Sequence, residues 1–108
     1  MLQINKDQNG GELEVRLGEP FEIRLGENPT TGYRWHLRTP GNPALQIQED
    51  TFEGSSGRVG AGGVRCWRFQ PVQEGTAQVE MEHRRSWEQR VLDRFNIKVR
   101  VKADKGSS

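Results

Sequence analysis

The 108 residues include a single cysteine, Cys66, so no intrachain disulfide can staple the chain and its stability has to come from packing. No apolar run approaches the roughly 18 to 20 residues a helix needs to cross a bilayer. The opening Met-Leu-Gln-Ile-Asn-Lys also lacks the apolar stretch of a secretory leader. The expectation is therefore a cytoplasmic protein, or a periplasmic or secreted one if a leader has been trimmed. An excess of charge is missing too, because 16 Lys and Arg nearly cancel 15 Asp and Glu to leave a formal net charge of +1. No global field then draws the chain to nucleic acid or to a membrane, and a partner has to be recognised by shape. Neither Gly-x-Gly-x-x-Gly nor Gly-x4-Gly-Lys-Ser occurs, which disfavours a phosphate cradle and implies no cofactor.

What remains is a glycine-rich, polar chain with 13 Gly, 29% charged residues and 31% apolar ones. Such a composition suits many short strands joined by tight polar loops, and the length suits one domain, residues 1–108. Leu13, Val15 and Leu17 alternate with Glu12, Glu14 and Arg16, and Phe21, Ile23 and Leu25 alternate with Glu22 and Arg24. Both stretches have the period of a half-buried strand. Tyr33, Trp35 and Leu37 form a third such run, which Pro40 stops. Leu45 and Ile47 make a short strand, and Thr51-Phe52 can extend a following one. Val64 to Val72 carries Trp67 and Phe69 on one face and, across the Glu74-Gly75 turn, is expected to form a hairpin with Ala77, Val79 and Met81. Val91, Phe95, Ile97, Val99 and Val101 share one parity, after which residues 103–108 have nothing to bury and should fray. With no amphipathic helix beyond a brief turn and no internal repeat, the pattern is that of an all-β, immunoglobulin-like sandwich. About seven to eight strands are expected, with binding loops clustered at one end.

The most informative loop is Asn28-Pro29-Thr30-Thr31-Gly32-Tyr33. Pro29 fixes its own φ, Asn28 before it is pushed toward extended geometry, and Gly32 permits a left-handed exit. Gly54 to Gly63 is a second loop, almost featureless, ending in Gly60-Ala61-Gly62-Gly63. A third connection, residues 84–88, holds Arg85-Ser86-Trp87 in a polar context, whereas Trp35 and Trp67 sit inside alternating strands and belong to the core.

The hexapeptide resembles the first binding loop of the chagasin family of cysteine-peptidase inhibitors, and the other two elements match that family's Gly-x-Gly-Gly and Arg-Pro-Trp motifs in the same order. Ser86 stands where the family has proline. The resemblance implies a reversible, competitive protein inhibitor of papain-like cysteine peptidases such as papain or a cathepsin L-like enzyme. Loops 28–33, 54–63 and 84–88 would occlude the cleft. The first would lie over the catalytic centre, the second along the unprimed subsites, and Trp87 on the primed side. A monomer that needs neither nucleic acid nor membrane is implied, with Thr31, Gly62 and Trp87 central.

Other readings are weaker. Cys66 could serve as a nucleophile with His36 or His83 as base, but it lies mid-strand with nothing local to lower its pKa. The one cysteine and two histidines lack the spacing of a metal site. His83-Arg84-Arg85-Ser86-Trp87 with Arg90 is a basic patch with an aromatic, diluted by Glu80, Glu82 and Glu88. The alternative of substance is a non-catalytic sandwich for adhesion or carbohydrate binding, in which Trp87 and Tyr33 stack on a ligand.

Overall fold

The computed structural model describes residues 1–28, 31–38, 43–54 and 62–103. Pro29, Thr30, Gly60, Ala61 and the tail beyond Ala103 lie outside the described residues. Eight strands are described: β1 (Leu2–Ile4), β2 (Glu12–Arg16), β3 (Phe21–Glu27), β4 (Tyr33–Leu37), β5 (Leu45–Gly54), β6 (Gly63–Pro71), β7 (Gly75–Arg85) and β8 (Val91–Lys102). They form two four-stranded sheets, ordered β1-β3-β6-β5 and β2-β8-β7-β4. The pairs β1–β3 and β2–β8 are parallel and the remaining pairs antiparallel.

Alternation dictates the packing. Phe21, Ile23, Leu25, Trp67 and Phe69 point inward from the first sheet, and Met81, Phe95, Ile97 and Val99 meet them from the second, each at most 3% exposed. Full burial of one such side chain contributes roughly 1.5–3 kcal/mol over leaving it in water. Trp35 and Trp67 are both in this core, as their strand contexts predict.

The structure departs from the sequence reading chiefly in strand neighbourhood, and in strand identity at β1 and β5. β6 and β7 do not form a hairpin: β6 is already flanked by β3 and β5, so it has no free edge. The chain crosses at residues 72–74 to the other sheet, where β7 pairs with β8 and β4. Leu45 to Gly54 is one strand, not two, with a bulge between Ile47 and Glu49. The N-terminal Leu2–Ile4 adds a strand against β3, and a single 3-10 turn at Lys6–Gln8, capped by Asn5, carries the chain from the first sheet to the second.

The registers fix where the loops gather. Glu27 at the end of β3 pairs with Gly63 at the start of β6, which pairs with Gly54 at the end of β5. In the other sheet Tyr33 at the start of β4 pairs with Arg85 at the end of β7. The connections β3–β4, β5–β6 and β7–β8 therefore leave from one end of the sandwich.

Candidate functional site

The β3–β4 connection is anchored from inside the sandwich. Glu27 continues the inward parity of Phe21, Ile23 and Leu25, and is only 5% exposed. Its Oε2 accepts a 2.8 Å hydrogen bond from the Trp35 backbone N–H, and its Oε1 faces Arg65 Nη1 at 3.4 Å. The Trp35 indole N–H in turn donates to the Gly26 carbonyl at 2.9 Å. One carboxylate thus holds the outgoing and returning strands of the loop together.

Within that loop the Thr31 N–H donates to the Asn28 carbonyl at 3.2 Å, closing a turn. The Thr31 hydroxyl donates to the same carbonyl at 2.8 Å and accepts from the Tyr33 N–H at 3.3 Å. This is the local side-chain bonding by which threonine stabilises turns. Gly32 has φ +82°, the left-handed geometry its position calls for.

The third connection leans on the first. Arg85 Nε donates to the Thr31 carbonyl at 3.1 Å, and the Arg85 guanidinium lies 4.4 Å from the centroid of the Tyr33 ring. Arg85 Nη1 also meets Glu88 Oε1 at 3.2 Å, while Arg84 Nη1 donates to the carbonyls of Arg85 and Glu88 at 3.3 and 3.4 Å. The Glu88 N–H bonds the Arg85 carbonyl at 3.1 Å, so Ser86 is the second residue of a four-residue turn. Trp87 stands out from this turn at 71% exposure, with its ring edge over Gly32. A β-carbon on Gly32 would come within 2.8 Å of Trp87 Cη2, so only glycine lets the ring lie there.

The second loop joins through its C-terminal glycines. Gly62 has φ +76°, and a β-carbon there would sit 3.4 Å from the Glu27 carbonyl oxygen and 3.5 Å from Asn28 Cβ. A β-carbon on Gly63 would collide with the Glu53 carbonyl oxygen. Of the sequence-predicted residues, the structure therefore brings Asn28, Thr31, Gly32, Tyr33, Gly62, Gly63, Arg85, Ser86 and Trp87 to one end, in mutual contact or in adjacent registers. Pro29, Thr30, Gly60 and Ala61 are outside the described residues.

Two supports were absent from the sequence reading. Glu27 is one. The other is His83, whose ring stacks on Trp35 at 4.6 Å and 9° and meets Tyr33 edge-on at 5.9 Å. Burial holds the His83 imidazole below its usual pKa, against the raising effects of a hydrogen bond that the ring donates to the Tyr33 backbone and of the carboxylates of Glu27 and Asp93. A continuing inward parity was the available signal for both residues.

The nucleophile reading fails on chemistry. Cys66 is 5% exposed, and burial first, then the Glu22 charge, pushes its thiol up, away from the thiolate a nucleophile needs. Among the described residues no cluster of His, Cys, Asp and Glu could hold a metal.

Comparison with known proteins agrees with this geometry. Residues 14–99 match the family model described as Chagasin family peptidase inhibitor I42. Chagasin of Trypanosoma cruzi is 30% identical over 107 residues, covering 94% of this chain and 97% of that protein. The crystal structure of the cysteine protease inhibitor EhICP2 from Entamoeba histolytica superposes with a TM-score of 0.84 at 24% identity, over 94% of this chain and 95% of the other. PbICP-C, solved in complex with falcipain-2, shares the fold at a TM-score of 0.59 and 12% identity, over 95% of this chain and 99% of the other. The chain belongs to the chagasin family of peptidase inhibitors and is an inhibitor rather than an enzyme.

Proposed function

We propose that this protein inhibits papain-like cysteine peptidases reversibly and competitively, seating loops 28–33, 54–63 and 84–88 together across the active-site cleft. The observation that carries the reading is the tethering of three connections from two different sheets into one surface, crowned by an exposed tryptophan. Large aromatic side chains with few rotatable bonds dominate the energetics of protein interfaces, and Trp87 at 71% exposure has that character. The glycine-rich sequence of the second loop offers backbone that no large side chain shields, suited to pairing with a peptidase's substrate-binding edge. That PbICP-C is solved in complex with falcipain-2 supports a papain-like target for a chain of this fold.

The same geometry supports resistance to cleavage. A peptidase cuts an extended strand whose scissile carbonyl is free to be attacked. Here the Thr31 N–H closes onto the Asn28 carbonyl, and the Thr31 carbonyl is already bonded by Arg85. Rigid anchoring by Glu27 and Arg85 keeps the reacting atoms out of attack geometry.

The test is titration of papain and of a cathepsin L-like enzyme with the purified protein, following hydrolysis of a fluorogenic peptide. Stoichiometric competitive inhibition at nanomolar concentrations, with the inhibitor intact after prolonged incubation, is the expected result. Absence of inhibition at micromolar concentrations by a demonstrably folded protein refutes the proposal.

A further inference from the structure

On the outer face of the second sheet the β4–β7 register sets Arg34 directly opposite Arg84. Like charges in directly opposed positions destabilise a sheet. Arg84 is partly compensated, with Nε 3.5 Å from Glu82 Oε1 and Nη1 on two backbone carbonyls. Glu82 is already shared, however, by Arg38 at 3.0 Å and Arg94 at 3.9 Å. Arg34 is exposed and, among the described residues, meets no carboxylate. Glu80 lies further from the loop end, where its carbonyl accepts from the Arg38 N–H, and it lines a separate hollow with Arg38 and Arg94. Three guanidinium groups, those of Arg38, Arg84 and Arg94, therefore share the Glu82 carboxylate, and Arg34 stands beside Arg84 at the loop end, just below the Trp87 turn.

The outer face of the first sheet is different. There Arg24 is matched by Glu22 and Glu53, and Arg68 by Glu22 and Glu49. Burial pushes the Glu22 carboxyl up, but hydrogen bonds from Arg68 and Gln3 and the charges of Arg68 and Arg24 together hold it below the usual range, and both arginines of that face are ion-paired. Among the described residues Arg34 is an exposed cation that no carboxylate pairs, and it borders the loops. Between Arg34 and the Trp87 turn lies a groove of about 660 Å³ lined by Thr31, Gly32, Arg34, His36, Arg85, Ser86 and Trp87. It opens onto the surface assigned above to the peptidase.

We propose that this groove receives an aspartate or glutamate side chain from the rim of the target peptidase, its carboxylate pairing with Arg34 beside the Trp87 indole. The proposal rests on the inhibitory reading and deepens it: among papain-like enzymes, those with an acidic rim flanking the cleft on the Trp87 side are preferred. Two facts argue for an acidic protein surface over another occupant. The missing charge at Arg34 is negative, and the groove is continuous with the loops that carry inhibition. An arginine surplus at the border of an interface acts mainly on association, steering the partner over about one Debye length, roughly 8–10 Å at physiological salt.

The experiment compares association rates of the wild-type protein, Arg34→Glu and Lys102→Glu with two forms of one papain-like peptidase. One form has rim carboxylates on the relevant side and the other has them changed to amides, and both are measured across ionic strength. Lys102 lies at the far end of β8, paired with Glu14 at 3.0 Å, and controls for the bare change in net charge. Arg34→Glu should slow association with the acidic form about tenfold at low salt and leave the amide form nearly unaffected. Added salt should shrink the difference. Glutamate opposite Arg84 replaces a like pair with an unlike one, so the variant's melting temperature should equal or exceed the wild type's, which separates lost binding from lost folding. Equal slowing by Arg34→Glu and Lys102→Glu, or an effect of Arg34→Glu indifferent to the rim carboxylates, overturns the groove while inhibition itself stands. Failure of the wild-type protein to inhibit either form overturns both readings.

Discussion

Removal of the Glu27 carboxylate tests whether the loop end is built from the inside. In Glu27→Ala the Trp35 N–H loses its acceptor in a site where the Glu27 side chain is 2% exposed, so water cannot readily replace it. An unsatisfied buried donor costs about 1–3 kcal/mol. The loss of the Arg65 contact adds less than a broken buried ion pair would, since Arg65 keeps its short bond to Asp50, which is 43% exposed and open to solvent. A total near 2 kcal/mol should lower the melting temperature by roughly 10 °C in a domain of this size. Glu27→Gln separates charge from shape: its amide oxygen can still accept from Trp35, and about half of the loss should be recovered.

Function should follow at temperatures where every variant is folded. Asn28 and Thr31 form the turn that Glu27 anchors, so a slack anchor raises the ordering cost of binding. An increase in the inhibition constant of about tenfold, or 1.4 kcal/mol, is expected for Glu27→Ala, with dissociation changed more than association. Thermal melts read by circular dichroism, and progress curves against papain, measure the two effects on the same samples. A melting temperature within about 1 °C of wild type and an unchanged inhibition constant would refute the anchoring argument.

Three further outcomes follow from the same geometry. Gly32→Ala combines a left-handed φ of +82° with a β-carbon 2.8 Å from Trp87 Cη2, so it should cost about 1–2 kcal/mol of stability and weaken inhibition by displacing the ring, as Trp87 fluorescence and titration of papain would report. Ser86→Pro places proline at the second position of the Arg85–Glu88 turn after a residue already in strand geometry, and should tighten binding by up to about 1 kcal/mol, measured as a lower inhibition constant. His83 has its folded pKa depressed below 6.5 by burial, so the unfolded chain binds the extra proton. Its contribution is complete above pH 6.5 and declines as pH falls toward the folded value. Melting temperatures should drop between pH 7 and 5, and His83→Phe should flatten that slope; the depressed carboxyls of Glu22 and Asp93 act only below it.

Strand identity was legible because each strand between the sheets has one wet and one dry face, and alternation records that difference directly. Strand neighbours were not legible, because alternation names the face of a residue and is silent about which strand lies beside it. The expected hairpin of Val64–Val72 with Ala77–Met81 failed for this reason. β5 was read as fragments because Gln46 to Gly54 is exposed on both faces, leaving no dry face to imprint a period. The loop motifs were legible because Asn28, Gly32 and Trp87 are unusual in composition and backbone demand. Glu27 was hidden by the reverse effect: its parity said inside and its chemistry said outside, and chemistry was the default. The same tension marks Arg34, whose pairing with Arg84 exists only in the register. Where a residue's type contradicts the position that folding gives it, something else must satisfy it. For Glu27 that is the backbone of Trp35 inside the protein. For Arg34 nothing inside the described structure does so, and this difference is what directs attention from the fold to the surface of a partner.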